Sequence, residues 1–177
     1  MGRAKALLTD SDGVPLVEVA ATGLAAAGCS SVTVVLGAQA DEVLALLRDA
    51  PQLQVVVAEN WSEGMAASLR HGLATVPSAA AALITLVDLP DVGTEVVRRI
   101  LEVWESDGAR SDALVRATYD GLPGHPVLIG CDHWAGLREE LSGDSGAQRY
   151  LSSRKVVEVS CEDFAIGRDI DRPEDLA

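Results

Sequence analysis

Short apolar runs of strand length recur along this chain, each separated from the next by a stretch with helical spacing. That alternation limits the fold more than any other feature. Val32 to Leu36, Leu53 to Ala58 and Ala82 to Val87 are almost continuously apolar. A strand with one wet face alternates apolar and polar residues, so runs like these predict strands covered on both faces, as in a parallel sheet between helices. Between them, Pro15 to Ala27 reads as a helix with an apolar stripe at Leu16, Val17, Val19, Ala20 and Leu24 and a stop at Gly28. Asp41 to Arg48, with Val43, Leu44 and Leu47 inward, Met65 to Val76, and Thr94 to Trp104, with Thr94 as N-cap, read the same way. A further strand is expected at Ala113 to Thr118. Pro126 to Ile129 follows it too closely for a helical crossover and predicts a small antiparallel excursion. Asp132 to Leu141 and Gly146 to Ser152 look helical, Lys155 to Val159 extended, and Pro173 opens a final helix. The expectation is an α/β fold, Rossmann-like, with a mostly parallel sheet between two helical layers. No repeat or linker interrupts it, so residues 1–177 read as one domain.

Composition removes several function classes. At 177 residues and 48% hydrophobic, the chain can bury a real core without disulfides or a structural metal. No apolar run reaches the roughly 18 residues that cross a bilayer, and no signal peptide opens the sequence. Cys29, Cys131 and Cys161 are odd in number and far apart, which predicts buried free thiols in a reducing, cytoplasmic setting. The formal charge of -13 argues against nucleic-acid binding, which needs a basic face. An acidic protein that binds an anion must do so through a local cluster of cations, backbone N–H groups or a metal ion. P-loop, dinucleotide-binding, hydrolase-elbow and zinc spacings are all missing from the sequence.

Ligands of open α/β sheets bind beyond the carboxyl ends of the strands, so polar residues placed there are the candidates. Asp88 in LVDLPDV directly follows an apolar strand and suits Mg²⁺ held against a phosphate; its alternative role is a turn or capping carboxylate. Asp169 and Asp171 in GRDIDRPEDL would share one side of an extended segment, where two like charges favour a cation between them. Asp171 could equally cap the helix opened by Pro173. In NWSEGMAASLRHGL, Gly64 permits close backbone approach and the following helix offers N–H groups, with Ser68, Arg70 and His71 as its polar residues. Arg3, Lys5 and His125 complete a sparse set able to meet an anion. Trp61, Trp104 and Trp134 are expected to serve packing, with a contact surface as the alternative. The opening MGRAKALL places Gly, Arg and Lys where a buried sheet would have its first strand, as though the chain enters the fold after that element.

Taken together, these segments resemble the MobA/MocA-like NTP transferases. MGRAKALL is similar to the second half of the signature L-x-A-G-x-x-x-R-M-G-x-x-K, and NWSEGMAASLRHGL, LVDLPDV, GHPVLI, LSGDSGAQRYL and DIDRPEDL resemble successive family motifs in order. The resemblance implies a nucleotidyltransferase fold and transfer of CMP or GMP from CTP or GTP to the phosphate of molybdopterin, with release of pyrophosphate. It favours CTP over GTP and implies Mg²⁺, with Mn²⁺ as a substitute. It assigns Lys5 and Asp88 to catalysis, and Gly2, Arg3, Lys5, Asn60, Gly64 and Ser68 to the nucleotide. The metal falls to Asp88 with Asp169 or Asp171, and the acceptor to Gly124, His125, Pro126, Asp144 and Gly146. A client molybdoenzyme is an implied partner.

Two departures accompany the resemblance. The family's first strand and L-x-A-G-x-x-x-R loop are absent, and Met1 falls at the methionine inside the signature. The expectation is a misplaced start or residues missing ahead of Met1, and poor NTP binding by the chain as written. In the piece corresponding to G-D-x-G-A-R, Arg149 comes one place late. The alternatives are a non-catalytic chaperone of the same fold that holds the molybdenum cofactor, and a transferase with another phosphorylated acceptor.

Overall fold

The computed structural model describes residues 4–48, 50, 52–76 and 78–170. Gly2, Arg3, Asp171 and the helix expected from Pro173 lie outside the described residues.

The strands are β1 (Val32–Leu36), β2 (Leu53–Val57), β3 (Ala81–Ile84), β4 (Leu114–Tyr119), β5 (Leu122–Gly130) and β6 (Val157–Ser160). The helices are α1 (Leu16–Ala26), α2 (Ala40–Leu46), α3 (Met65–Thr75), α4 (Thr94–Ser106), α5 (Trp134–Glu140) and α6 (Gln148–Ser152), with 3-10 turns at Lys5–Leu7, Trp61–Glu63 and Cys131–His133. β1 pairs with β2 in parallel, and β3, β5, β4 and β6 form a second sheet in that order. β5 is antiparallel to β3 and β4, while β4 and β6 are parallel, so only β5 runs against the others of its sheet.

Each expected element is present among the described residues, with boundaries set by local chemistry. Gly28 stops α1 at a φ of 109°, as a C-terminal glycine should. At α4, Gly93 occupies the cap position, and Thr94 is the first helical residue with its hydroxyl donating to the Gly23 carbonyl at 3.5 Å. Asp132 to Leu141 splits into a 3-10 turn and α5. β5 begins four residues before the expected Pro126, because Asp120 and Gly121 take φ values of 50° and 74° and form a two-residue hairpin turn. Asp-Gly between strands is a strong hairpin signal. Pro123 and Pro126 are tolerated because β3 pairs with β5 only from Val127 onward, leaving the earlier half of β5 free on that side.

The core follows the apolar pattern. On one face of the larger sheet, Val96 and Ile100 of α4 pack against Val115, Ala117 and Leu128, with Cys161 and Ala165 closing the cluster. On the other, Ala66 and Leu73 of α3, Leu137 of α5 and Tyr150 and Leu151 of α6 pack on Leu114, Val127 and Ile129. A third cluster joins Leu7, Val17, Leu36, Val43 and Leu47 around β1. β3, though wholly apolar, is only half-buried throughout. The cysteines are free as expected, but only Cys161 is buried, with Cys29 and Cys131 half-buried. The indoles of Trp104 and Trp134 donate to the Arg110 and Ile129 carbonyls, which accounts for both as packing residues.

Ile100 is fully buried between α4 and the sheet, whereas Leu122 is exposed at the hairpin. Urea unfolding should therefore show Ile100→Ala losing about 2–5 kcal/mol, and Leu122→Ala changing stability by less than about 0.5 kcal/mol. Equal losses would contradict this placement of the core.

Candidate functional site

The candidate residues gather along the carboxyl ends of the strands. Asp88 follows β3 after Thr85, Leu86 and Val87, and the 3-10 turn that opens the described chain brings Lys5 to it. Lys5 Nζ donates to Asp88 Oδ2 at 2.7 Å, and the two side chains are 28% and 16% exposed. This half-buried ion pair is less screened by water than a surface pair. The chain has only two lysines, Lys5 and Lys155, so half of its ammonium charge is placed here.

The segment carrying Asp169 is tied to the same strand end. Ile170 N–H donates to the Asp88 carbonyl at 2.9 Å. Asp91 Oδ2 accepts the amides of Ile166 and Gly167 at 2.7 and 3.0 Å. Gly167 has a φ of 68°, and a Cβ there would fall 2.3 Å from the Tyr119 ring, so the segment can lie against β4 only with glycine at this position. The Tyr119 hydroxyl donates to the His125 carbonyl at 2.7 Å, and a Cβ on Gly124 would also strike its ring. Gly124 is thus a close-packing position beneath Tyr119. Burial pushes the Tyr119 hydroxyl well above its ordinary range, with Cys161 and Asp91 adding to the shift. Burial also pulls the His125 ring below its ordinary 6.5, against the opposing pull of Asp169 and Asp88. His125 is therefore neutral at pH 7 and lies within the field of both carboxylates. Pro126 beside it is fully buried.

A second group lies where β2 ends. Asn60 donates through Nδ2 to Glu63 at 3.0 Å, while its buried Oδ1 has no partner among the described residues. Gly64, at the N-terminal cap of α3 with a φ of 111°, could not carry a Cβ, which would sit 2.6 Å from both Asp144 Oδ1 and the Gly143 carbonyl carbon. Ala66 N–H donates to the Gly143 carbonyl at 3.0 Å, and a Cβ on Gly146 would lie 3.1 Å from Met65 Sδ. The residues expected on the nucleotide side, Asn60 and Gly64, are thus interlocked with Asp144 and Gly146, expected on the acceptor side. Ser68 is half-buried on the next turn of α3. Arg70 and His71 are occupied by the Leu141 and Ala67 carbonyls, which gives both a structural role. Arg149 lies exposed on α6.

Gln39 joins the two groups, and sequence reasoning alone does not single it out. It adopts left-handed backbone just past β1, accepts the Ala4 amide on Oε1 at 2.6 Å and donates to Glu42 at 2.8 Å. Gly37, two residues before it, lies under Trp61, whose Cβ is 2.7 Å from where a Gly37 Cβ would be. One rim therefore runs from Asn60 and Trp61 through Gly37 and Gln39 to Lys5, Asp88, His125 and Asp169. Asp91 is a second residue that sequence reasoning missed, although it stands three residues after Asp88 in the same motif. A polar residue just past an apolar strand was the available signal for both.

Among the described residues no cluster of three or more His, Cys, Asp or Glu side chains forms a ready-made metal cage. Asp88 is half-buried and Asp169 is exposed, and both carry carboxylate oxygens. Hard divalent cations bound through one or two carboxylates plus substrate phosphates use oxygen donors of this kind, so the donor chemistry fits Mg²⁺ or Mn²⁺.

Residues 1–159 match the MobA-like NTP transferase domain. The chain belongs to this family. It is 31% identical over 185 aligned residues to nicotine blue oxidoreductase of Paenarthrobacter nicotinovorans, covering 99% of this chain and 88% of the relative. It is 24% identical over 150 residues to molybdenum cofactor cytidylyltransferase of Escherichia coli K12, covering 84% and 73%. The crystal structure of Rv0371c from Mycobacterium tuberculosis H37Rv, a complex with manganese, superposes with a TM-score of 0.81 at 28% identity, covering 98% of this chain and 90% of that one. The α/β nucleotidyltransferase architecture is therefore that of the family. Among the described residues no helix is long and apolar enough to cross a membrane.

Two measurements test this geometry. Asp91→Ala should raise amide hydrogen exchange at Ile166 and Gly167 by at least about tenfold, since each amide loses its acceptor; unchanged protection would remove the clamp. An NMR titration should place the His125 midpoint below 6.5, and a midpoint above it would contradict the desolvation described here.

Proposed function

We propose that this protein is a nucleotidyltransferase that joins a nucleoside monophosphate, CMP in preference to GMP, to the terminal phosphate of molybdopterin and releases pyrophosphate. The observation that carries this reading is the Lys5–Asp88 pair at the end of β3. A cation and a carboxylate side by side suit a metal-assisted phosphoryl centre. We take residues 1–177 as one transferase domain acting in the cytoplasm and serving a client molybdoenzyme.

In this reaction the acceptor phosphate, ionised at neutral pH, attacks the α-phosphorus of the NTP, and the bond to the bridging oxygen of pyrophosphate breaks. No protein nucleophile and no proton transfer are required. Lys5 contacts the phosphates and offsets their charge. Asp88, with Asp169 or Asp171, would hold Mg²⁺ or Mn²⁺, and the bound ion would supply charge neutralisation and orientation. We assign Gly2, Arg3, Asn60, Gly64 and Ser68 to the nucleotide. Gly124, His125, Pro126, Asp144 and Gly146 belong to the acceptor side, where neutral His125 adds no charge of its own. Rv0371c, solved with manganese, supports a divalent cation here.

A second reading rests on the 31% identity to nicotine blue oxidoreductase, because it means that family membership alone does not fix the reaction. The two readings separate on product. Incubated with CTP or GTP, Mg²⁺ and molybdopterin, the protein carrying the family's L-x-A-G-x-x-x-R loop ahead of Met1 should release pyrophosphate, and Asp88→Ala should lower kcat at least about 100-fold. Full activity of Asp88→Ala would remove Asp88 from the centre. NTP binding without pyrophosphate release would point to a cofactor-holding chaperone. Oxidation or reduction of nicotine blue with an added electron acceptor or donor, without nucleotidyl transfer, would support the oxidoreductase reading. Stabilisation in a thermal melt should be larger with CTP than with GTP, and the reverse order would reassign the nucleotide.

A further inference from the structure

Under the proposed function, Lys5 and Asp88 are assigned to different ligands, the NTP phosphates and the metal ion, yet in the structure they bind each other. Lys5 Nζ lies 2.7 Å from Asp88 Oδ2, with both groups drawn well out of water. An ammonium so placed occupies one carboxylate oxygen. It also sets a positive charge about 4–5 Å from any divalent ion on the other oxygen, a repulsion of more than about 1 kcal/mol even when largely screened.

The backbone around this lysine is anchored and its side chain is long. The Ala4 amide is held by Gln39 Oε1 at 2.6 Å, and Leu7 on the same turn is buried in the β1 cluster. The flexible four-carbon stem of a lysine can therefore move its charge by several ångströms while the turn stays fixed.

We propose that Lys5 is a counter-ion that occupies the metal position of the nucleotide-free protein, so that divalent metal binds weakly until an incoming triphosphate draws Lys5 away from Asp88. Metal and nucleotide then bind with positive coupling: the triphosphate releases the carboxylate, and the released carboxylate takes the cation that accompanies the nucleotide. Free metal in the cell would leave the empty site alone, and the acidic rim keeps its charge balance in both states. This inference rests on the assignment of Asp88 as a metal ligand and goes beyond it by predicting the sign of an effect at Lys5. If Lys5 served only to fold the site, its removal would weaken metal binding. If it is the competing cation, its removal strengthens it.

The test is Mn²⁺ binding to the full chain without nucleotide or acceptor, read by the loss of the free Mn²⁺ electron paramagnetic resonance signal. Lys5→Met should bind Mn²⁺ on the order of tenfold more tightly than wild type. Lys5→Arg keeps the charge and should stay near the wild-type value, which separates charge from folding. Asp88→Asn added to Lys5→Met should abolish the gain. Equal or weaker Mn²⁺ binding by Lys5→Met, with thermal melting unchanged, overturns the proposal. If Asp88→Asn alone still weakens binding in that case, the metal-ligand assignment survives and only the counter-ion role falls. A gain in Lys5→Met that persists with Asp88→Asn overturns both.

Discussion

The ion pair between Lys5 and Asp88 is the interaction on which the rest of the site depends. It closes the first turn of the described chain onto the end of β3, and the backbone of Asp88 at the same time accepts Ile170 from the far end of the chain. Two segments distant in sequence are thereby brought to one strand end. Around that point the contacts are made by groups with little tolerance for substitution. Asp91 accepts two consecutive amides, Gly167 and Gly124 both lie against the Tyr119 ring, and Gln39 ties the Lys5 turn to β1.

The acidic character of the protein becomes local at this rim. A chain of net charge -13 repels polyanions as a whole. Several of its arginines are engaged elsewhere: Arg99 grips Asp163 and lies over Phe164, Arg154 pairs with Glu140, Arg116 with Glu158, and Arg110 with Asp112. These surface pairs contribute little individually, and they hold those arginines away from Asp88, whose ion-pair partner is Lys5. The chain's relatives include both a cytidylyltransferase and an oxidoreductase, so the fold by itself does not decide the chemistry. The proposed nucleotidyl transfer therefore rests on the arrangement of charge at the strand ends, with Lys5 beside Asp88.

Much of the fold is legible from local pattern. Apolar strands and amphipathic helices have periods of two and 3.6 residues, and those periods place β1, β2, α1 and α4 within a few residues. Asp88 is legible because a carboxylate at the end of an apolar run must turn the chain, cap a helix or meet a ligand, although β3 itself stops at Ile84. The hairpin at Asp120 and Gly121 is written in the sequence as well, in the Asp-Gly pair, whereas Pro126 marks only the point beyond which β5 gains its second neighbour. What cannot be read locally are the contacts between distant segments. Nothing near Gly124 or Gly167 reveals that both meet the same tyrosine ring. Nothing near Gly64 reveals Asp144 against its Cα, and the nucleotide and acceptor labels therefore divide residues that the fold interlocks. Arg70 and His71 look available in sequence only because their carbonyl partners, Leu141 and Ala67, are set by tertiary packing and helix geometry.

The central claim is that the rim is a metal-assisted nucleotide site built on Asp88, with Lys5 serving the phosphates. Its most direct test is a crystal structure of the protein with CTP and Mn²⁺, with the metal located by its anomalous scattering. The account predicts a manganese peak bound by Asp88 and contacting the triphosphate, with Lys5 Nζ moved from Asp88 to a phosphate oxygen. A peak away from Asp88, or nucleotide bound with Lys5 still on the carboxylate, would contradict it.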